Sequence, residues 1–360
     1  MDKLRRVLIM AGGTGGHVFP GIAVAKLLQE RGVTVHWLGT HKGLEARLVP
    51  EAGIPISFIS IGGLRGKGLK DILLGPWRLL TAISQSIKII RQYDPDIVLG
   101  MGGFVSGPGG IASWLLRRPL IIHEQNAKPG LTNQWLARVA KKVLEGFPNT
   151  FSNRNNVVTT GNPVRVEIAQ LSGPVDGKKL PHSPLHLLIV GGSLGAAAIN
   201  QLVPRALASL PEAERPIVWH QAGERTLEET RKAYDEMGVS AKIEPFIVEM
   251  NKAYDWADIV LCRAGALTIA ELCAAGLGAI LVPYPHAVDD HQTANANFMA
   301  KNNAAWLIQQ SDLTVEGLSD LLKQLYASQE KCVAMAKSAY QLRKIDATEN
   351  ILRICKEISQ

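Results

Sequence analysis

Val7-Leu8-Ile9-Met10-Ala11-Gly12-Gly13-Thr14-Gly15-Gly16-His17 decides how this chain folds: an apolar run, a glycine-dense turn, and the start of a helical pattern. The same succession returns at Gly100-Met101-Gly102-Gly103 and at Gly191-Gly192-Ser193-Leu194-Gly195. Each reads as strand, backbone-exposing turn, helix. Glycine carries no Cβ, so the main chain can approach a ligand closely. The helix that follows aims unpaired N–H groups and a positive dipole end at any anion there. Phosphate is the expected guest.

Two common phosphate motifs are excluded. Counting from Gly13, Val18 stands where the third glycine of a dinucleotide fingerprint belongs, and Val33-Thr34-Val35-His36-Trp37 ends in an imidazole and an indole where a ribose-binding acid would stand about 20 residues on. A Walker loop fails because Ile61 occupies the place of its first glycine before Gly66-Lys67.

Outward from the first turn, short apolar runs alternate with helical patterns: Val7–Ala11, Val33–Leu38, Ile97–Leu99 and Leu120–His123 read as strands. A second series runs through Leu187–Val190, Ile217–His220, Ile259–Cys262 and Ala279–Val282. The alternation predicts an α/β chain of two doubly wound parallel-sheet domains in tandem, joined near Gly161-Asn162-Pro163, with the cleft between them as the expected active site. With 360 residues, 46% apolar and 20% charged, the chain is long enough for two cores. Cys262, Cys273, Cys332 and Cys355 form no C-x-x-C pair, so neither a zinc site nor a disulfide framework is expected, which fits the cytosol. The basic start Met1–Arg6 precedes an apolar run too short for a signal core, and no stretch is long enough to span a bilayer.

Charge is divided unevenly. Residues 1–165 carry 21 Lys/Arg against 9 Asp/Glu, and residues 166–360 carry 18 against 23. The amino half is thus expected to face something anionic: nucleic acid, a membrane surface or a phosphorylated substrate. Arg65, Lys67, Lys70, Arg78, Lys88 and Arg91, interleaved with Ile72, Leu73, Leu74, Trp77, Leu79, Leu80, Ile83 and Ile87, form a stretch that either lies on an anionic membrane or packs as core.

In open parallel sheets ligands gather beyond the carboxyl ends of the strands. Asp94-Pro95-Asp96 resembles a metal-binding pair, but it precedes a strand and reads as a turn. His17, Gly102, Gly103, His123-Glu124-Gln125-Asn126, Ser193, Arg263 and the run His286–Gln292 follow strands and qualify. The positive end of a helix disfavours an imidazolium, and a neutral imidazole can accept a proton. His17 is therefore a candidate general base or substrate binder, with helix capping as the alternative. Glu271, early in a helix opened by Gly265 and ending at Gly276, either bridges two ribose hydroxyls or compensates the dipole.

Gly12–Pro20, Gly100–Pro108, His123–Asn126, Gly161-Asn162-Pro163-Val164-Arg165, Gly191-Gly192-Ser193 and Gly265-Ala266-Leu267-Thr268, in this order and spacing, resemble the MurG family of glycosyltransferases over nearly the whole chain. The resemblance implies a GT-B fold of two Rossmann-like domains. Residues 1–163, with a helix from 345–360 packed back on them, would bind the lipid I acceptor and face the membrane; residues 164–344 would bind UDP-GlcNAc. It implies transfer of N-acetylglucosamine from UDP to the C4 hydroxyl of undecaprenyl-pyrophosphoryl-MurNAc-pentapeptide, with inversion, at the cytoplasmic face of the bacterial inner membrane as a peripheral protein. His17 would be catalytic. Donor contacts would fall at Thr14, Gly15, Gly16, Asn126, Arg165, Ser193, Ile247, Ala266, Leu267, Thr268, Ile269, Ala270, Glu271 and Gln292, and acceptor contacts at Gly102, Gly103, His123 and Glu124. Ala270 departs from the serine often found in relatives, and His291 from a glutamine. Other cell-wall synthesis proteins would be partners, nucleic acid would not, and no cofactor or obligatory metal is expected. A UDP-N-acetylglucosamine epimerase on the same fold is the rival reading, and a nucleotide-sugar sensor a third.

Overall fold

The computed structural model describes residues 4–62, 75–152, 154–174, 181–192 and 195–360. The chain divides into two compact units, one running to Val164 and taking back Ile345–Gln360, the other Arg165–Lys344.

Unit 1 runs β1 (Arg6–Ala11), α1 (Gly15–Glu30), β2 (Thr34–Gly39), α2 (Glu45–Glu51), β3 (Ile56–Phe58) and α3 (Gly75–Tyr93). It continues with β4 (Ile97–Gly102), α4 (Ser106–Leu115), β5 (Leu120–Glu124), α5 (Leu131–Leu136), β6 (Lys142–Glu145) and β7 (Val157–Thr159). Unit 2 begins with α6 (Val166–Ala169), β8 (His186–Val190), α7 (Ala197–Ala208), β9 (Ile217–Gln221), α8 (Leu227–Glu236), β10 (Lys242–Glu244) and α9 (Met250–Trp256). There follow β11 (Ile259–Cys262), α10 (Ala266–Ala275), β12 (Gly278–Leu281), α11 (His291–Ala300), β13 (Ala305–Leu307), α12 (Val315–Ala327) and α13 (Gln329–Gln341); α14 (Ala347–Ile358) returns to unit 1.

Both sheets are parallel throughout, in the orders β3-β2-β1-β4-β5-β6-β7 and β10-β9-β8-β11-β12-β13. Strand order reverses between β1 and β4 in the first and between β8 and β11 in the second. At such a switch point the loops on neighbouring strands leave in opposite directions and open a crevice at the carboxyl ends. The glycine turns at Gly12 and Gly102 lie at the first of these, and Gly191 and Gly265 at the second.

Why β1 is central follows from its side chains. Val7, Ile9 and Ala11 enter a core with α1 and α14, while Leu8 and Met10 enter the opposite core with Ile90, Ala112 and Leu136. Alternation sends successive residues to opposite faces, and an all-apolar strand is the form that suits burial on both. Ile351, Leu352, Ile354 and Cys355 of α14 lie in the first core. At roughly 2 kcal/mol for each fully buried large aliphatic side chain, these contacts outweigh the surface pair Arg31–Glu349, whose side chains are each half exposed.

The eight expected strands are present, with ends moved by a residue or two, but β4 runs on through Gly100 to Gly102 where a turn is expected. Being central, β4 is bonded by β1 and β5 on both sides, which offsets the weak strand preference of glycine. Five further strands, β3, β6, β7, β10 and β13, are only three or four residues long and carry too little alternation to register in the sequence. Asp94-Pro95-Asp96 turns from α3 into β4: Asp96 Oδ2 accepts from the amides of Arg5 and Arg6, and Asp94 pairs with Arg6 and Arg118. Among the described residues no helix is long and apolar enough to cross a membrane.

In unit 2 the fully buried His220 contacts the Tyr234 hydroxyl through Nδ1 and Asn200 Oδ1 through Nε2, each at 3.0 Å. Burial pushes its pKa down from 6.5 to about 3. The unfolded chain therefore takes up a proton that the folded one refuses, so this contribution to stability is complete above the unfolded pKa and is lost as pH falls toward about 3. Urea unfolding of unit 2 should cost about 2 kcal/mol less at pH 5 than at pH 7 on account of His220. The His220→Gln variant, less stable at pH 7, should lack that increment; an unchanged pH dependence would assign it elsewhere.

Candidate active site

In unit 1 the loops after β1 and β4 meet backbone to backbone. Met10 pairs with Gly100 and Ala11 with Gly102, which leaves Met101 as the extra residue of a bulge. Gly102 and Gly103 follow at φ of 101° and 82°, a region that favours glycine. A Cβ on Gly103 would overlap the backbone of Gly12, and one on Gly102 would meet His17 Nδ1 at 2.5 Å. Of the two glycines expected as acceptor contacts, Gly102 is thus the seat of His17 and Gly103 the point where the two loops touch.

Thr14 is the extended N-cap residue of α1 and its side chain makes no cap bond, so the amides of Gly15 and Gly16 lead the positive end of the helix. The turn is braced from behind by the fully buried Glu45, whose carboxylate accepts from Gly13 N at 2.9 Å and from Thr40 N and Oγ1 at 3.0 and 2.7 Å. His17 is partly exposed, and its Nδ1 lies 2.9 Å from Gln125 Oε1. Gln125 Nε2 donates to Met101 O at 2.9 Å and lies 3.1 Å from His123 Nδ1, and His123 Nε2 lies 2.9 Å from Gly161 O.

His123 and Glu124 stand differently from the expectation that they touch an acceptor. His123 is wholly buried with both ring nitrogens engaged, and burial lowers its pKa, although the Gly161 carbonyl and the Glu124 charge oppose the shift. Glu124 is 2% exposed and its carboxylate accepts from Asn126 N and Nδ2, Gly130 N and Asn133 Nδ2. Neither side chain has surface left for a ligand. They shape the loop that carries Asn126, which remains partly exposed. Gln125 qualifies in the sequence as part of His123–Asn126 but carries no assigned contact there; the structure gives it one, on His17.

Unit 2 gathers a second set. Arg165 Nε and Nη2 both reach Glu271 Oε1 at 2.9 Å, and Tyr254 donates to Glu271 Oε2 at 3.2 Å. Burial raises the Glu271 pKa, opposed by Arg165 and the Tyr254 hydrogen bond, and pushes the Tyr254 pKa well up. Gly265 is the N-cap residue of α10, and the turn that follows, Ala266, Leu267 and Thr268, has no side-chain cap. Ile269 is fully buried and can offer a ligand only its main chain, whereas Ala270 is partly exposed. Ile247 is also buried, and its N–H is held by Gln221 Oε1 at 2.9 Å, leaving its carbonyl. Gln292 Oε1 accepts from Ala264 N and Tyr284 N at 3.2 and 2.9 Å, tying the loops after β11 and β12 and leaving its Nε2. Arg263 is occupied with the carbonyls of Val282 and Pro283 and with Gln310.

Ser193 lies outside the described residues, as do Arg65, Lys67, Lys70 and Ile72–Leu74 of the basic segment. Among the described residues a single group, His182, His186 and Asp258, has metal-ligand chemistry. Asp258 already accepts from the amides of His182 and His186 and from the His182 ring, and the two imidazoles stack at 3.8 Å, so the group reads as a clamp at the amino end of β8. All four cysteines are buried.

Residues 7–145 match the glycosyltransferase family 28 N-terminal domain and residues 186–351 its C-terminal domain. The chain belongs to glycosyltransferase family 28. It is 54% identical over 353 residues to the UDP-N-acetylglucosamine–N-acetylmuramyl-(pentapeptide) pyrophosphoryl-undecaprenol N-acetylglucosamine transferase of Marinobacter nauticus, covering 98% of this chain and 97% of that one. The transferase of the same name from Alkalilimnicola ehrlichii is 54% identical over 351 residues, 98% of each chain. Among solved structures, Acinetobacter baumannii MurG matches with a TM-score of 0.84 at 42% identity, over 98% of this chain and 99% of that one. A putative UDP-N-acetylglucosamine 2-epimerase from Listeria monocytogenes matches with a TM-score of 0.67 at 16% identity, covering 98% of this chain and 96% of that one, a likeness of fold alone. The family 28 match, the two parallel sheets and these relatives agree with the GT-B expectation.

The seat of His17 can be tested directly. Gly102→Ala should push the imidazole off Gln125, and with His17 expected as the catalytic group kcat should fall about 100-fold, the scale of an ångström's misplacement. Circular dichroism should show both sheets retained; full turnover would mean that the position of the ring does not matter.

Proposed function

We propose that this chain transfers N-acetylglucosamine from UDP-GlcNAc to the C4 hydroxyl of undecaprenyl-pyrophosphoryl-MurNAc-pentapeptide, lipid I, forming lipid II for peptidoglycan synthesis. The identity of 54% along nearly the full chain to transferases named for this reaction carries the reading. The epimerase reading rests on fold alone and is not favoured.

The chemistry is a single displacement with inversion. The acceptor hydroxyl attacks the anomeric carbon through an oxocarbenium-like state, the new C–O bond forms as the bond to UDP breaks, and UDP leaves with the electron pair. A base has to take the hydroxyl proton. His17 is given that role, because its Nδ1 is occupied by Gln125 and its other nitrogen is bonded by no group among the described residues. The leaving diphosphate gathers negative charge. Arg165 Nη1, the first turn of α1 with the amides of Gly15 and Gly16, the first turn of α10, and Ser193 are assigned to it as donors. Glu271 retains acceptor capacity beside Tyr254 for the ribose hydroxyls, the carbonyl of Ile247 suits uracil, and Gln292 Nε2 suits the sugar. Asn126 and the main chain of Ala266–Ala270 complete the donor set. With a guanidinium and helix termini in this role, no divalent cation is required.

Membrane attachment is proposed from unit 1. Helix α3 exposes Trp77, Leu79 and Leu80, its neighbour α4 exposes Trp114 and Leu115, and α5 next to that exposes Leu131 and Trp135. The Arg138 guanidinium lies 4.3 Å over the Trp135 ring, and Arg117 and Lys141 are close by in the chain. Exposed indoles among basic side chains suit the headgroup region of an anionic bilayer. This reading places the protein peripherally on the cytoplasmic face, where other cell-wall synthesis proteins would be its neighbours.

Labelled UDP-GlcNAc incubated with a short-chain lipid I analogue should give labelled lipid II, with UDP released only when the acceptor is present; conversion of UDP-sugar without acceptor would support the epimerase. Activity should persist in EDTA. His17→Ala should fold normally and lose on the order of 100- to 10,000-fold in kcat. In sedimentation with phosphatidylglycerol vesicles, a variant with Trp77, Leu80 and Trp114 changed to serine should stay in the supernatant where the wild type pellets at low salt. Equal sedimentation would remove this surface as the anchor.

A further inference from the structure

The hydrogen-bond chain behind His17 has a direction, and two backbone carbonyls set it. Gly161 O can only accept, so the His123 nitrogen 2.9 Å away, Nε2, carries the proton. His123 is fully buried and neutral, so its Nδ1 presents a lone pair. Met101 O likewise only accepts, which fixes the nitrogen end of the Gln125 amide on that side at 2.9 Å. The second hydrogen of the same Nε2 faces His123 Nδ1 at 3.1 Å. Both amide hydrogens are then used, and Gln125 Oε1 is left pointing at His17 Nδ1 at 2.9 Å. An oxygen there requires Nδ1–H on His17.

We propose that Gln125 and His123 are positioning residues for the transfer: anchored on the carbonyls of Met101 and Gly161, they lock His17 in the Nδ1–H tautomer, so that Nε2 is always the nitrogen with the free lone pair. An unconstrained neutral imidazole samples both tautomers, and the one with hydrogen on Nε2 has no lone pair to offer a hydroxyl. The register shift at Met101 falls at the carbonyl that holds the glutamine. The burial of His123 belongs to this device, since a protonated ring would turn its Nδ1 from acceptor into donor and face the Gln125 amide hydrogen with another. This deepens the reading of His17 as the base and rests on it only for its effect on rate.

The test uses the full chain labelled with ¹⁵N-histidine and long-range ¹H–¹⁵N correlation at pH 7.5, the His17 signals being those lost in His17→Ala. The wild type should show Nδ1 protonated and Nε2 bare. Gln125→Leu, which removes the acceptor, should move His17 toward the Nε2–H form and lower kcat roughly 10- to 100-fold with the KM for UDP-GlcNAc unchanged. Gln125→Glu keeps an oxygen opposite Nδ1 but turns its other oxygen on two acceptors, Met101 O and His123 Nδ1, so it should favour the Nδ1–H form while recovering little of kcat. A wild-type His17 found mainly as Nε2–H, or a Gln125→Leu protein with the wild-type tautomer and kcat, overturns the proposal. The expected tautomers together with a fully active His17→Ala protein would uphold the lock and remove His17 as the base.

Discussion

The backbones of Gly12 and Gly103 approach so closely that no Cβ fits between them, and the surroundings of His17 follow from that contact. It brings the loop after β1 against the loop after β4, places the imidazole on the face of Gly102, and lets the Ser106 hydroxyl, at the start of α4, bond to Gly102 N, Gly102 O and Met10 O. Glycines confined to a left-handed conformation cost roughly 0.5–1 kcal/mol each in chain entropy. The strands that hold them are buried almost throughout, and burial of even one aliphatic side chain is worth more than that. Geometry at the switch point is therefore maintained by the sheet rather than by the loops themselves.

Much of the frame was legible because its signals are local. An apolar run, a glycine turn and a helical pattern follow one another within about fifteen residues, a span over which strand alternation and helix starts leave clear marks. The short strands left none: Lys142–Glu145 and Lys242–Glu244 carry charged residues and acquire their strand character from neighbours. For the candidate site, the rule that ligand groups follow strands nominated residues at the right end of each sheet. It could not say which side chains turn inward. All three of His123, Glu124 and Gln125 go under the surface, and of them Gln125 reaches His17. That distinction depends on partners 24 to 38 residues away in the chain, Met101 and Gly161.

Three further motifs of the sequence turn out to be one connected object. Gly161 accepts from His123, Asn162 Nδ2 donates to Gln125 O, and Gln125 joins His123 to His17. The segments around residues 17, 125 and 161 thus share a polar network within unit 1, which accounts for motifs that no local reading relates. Asn162 is thereby tied to the loop that carries Gln125.

Satisfaction of buried polar groups separates frame from chemistry. Glu45, Glu124 and Glu145 are each 3% exposed or less, and each accepts three or more hydrogen bonds, several from main-chain amides. Bonds to a charged acceptor are worth about 1.5–3 kcal/mol apiece, enough to offset the cost of burying the carboxylate and to hold a loop in one shape. Glu271 is also largely enclosed, yet its partners are a half-exposed arginine and one phenol at 3.2 Å, and burial outweighs them in raising its pKa. Among the described residues His17 likewise has one nitrogen bonded and one not. Groups that a fold completes are fixed in place; groups it leaves partly served keep the capacity to bond something else, and among the described residues His17 in unit 1 and the Arg165–Glu271 pair in unit 2 are such groups.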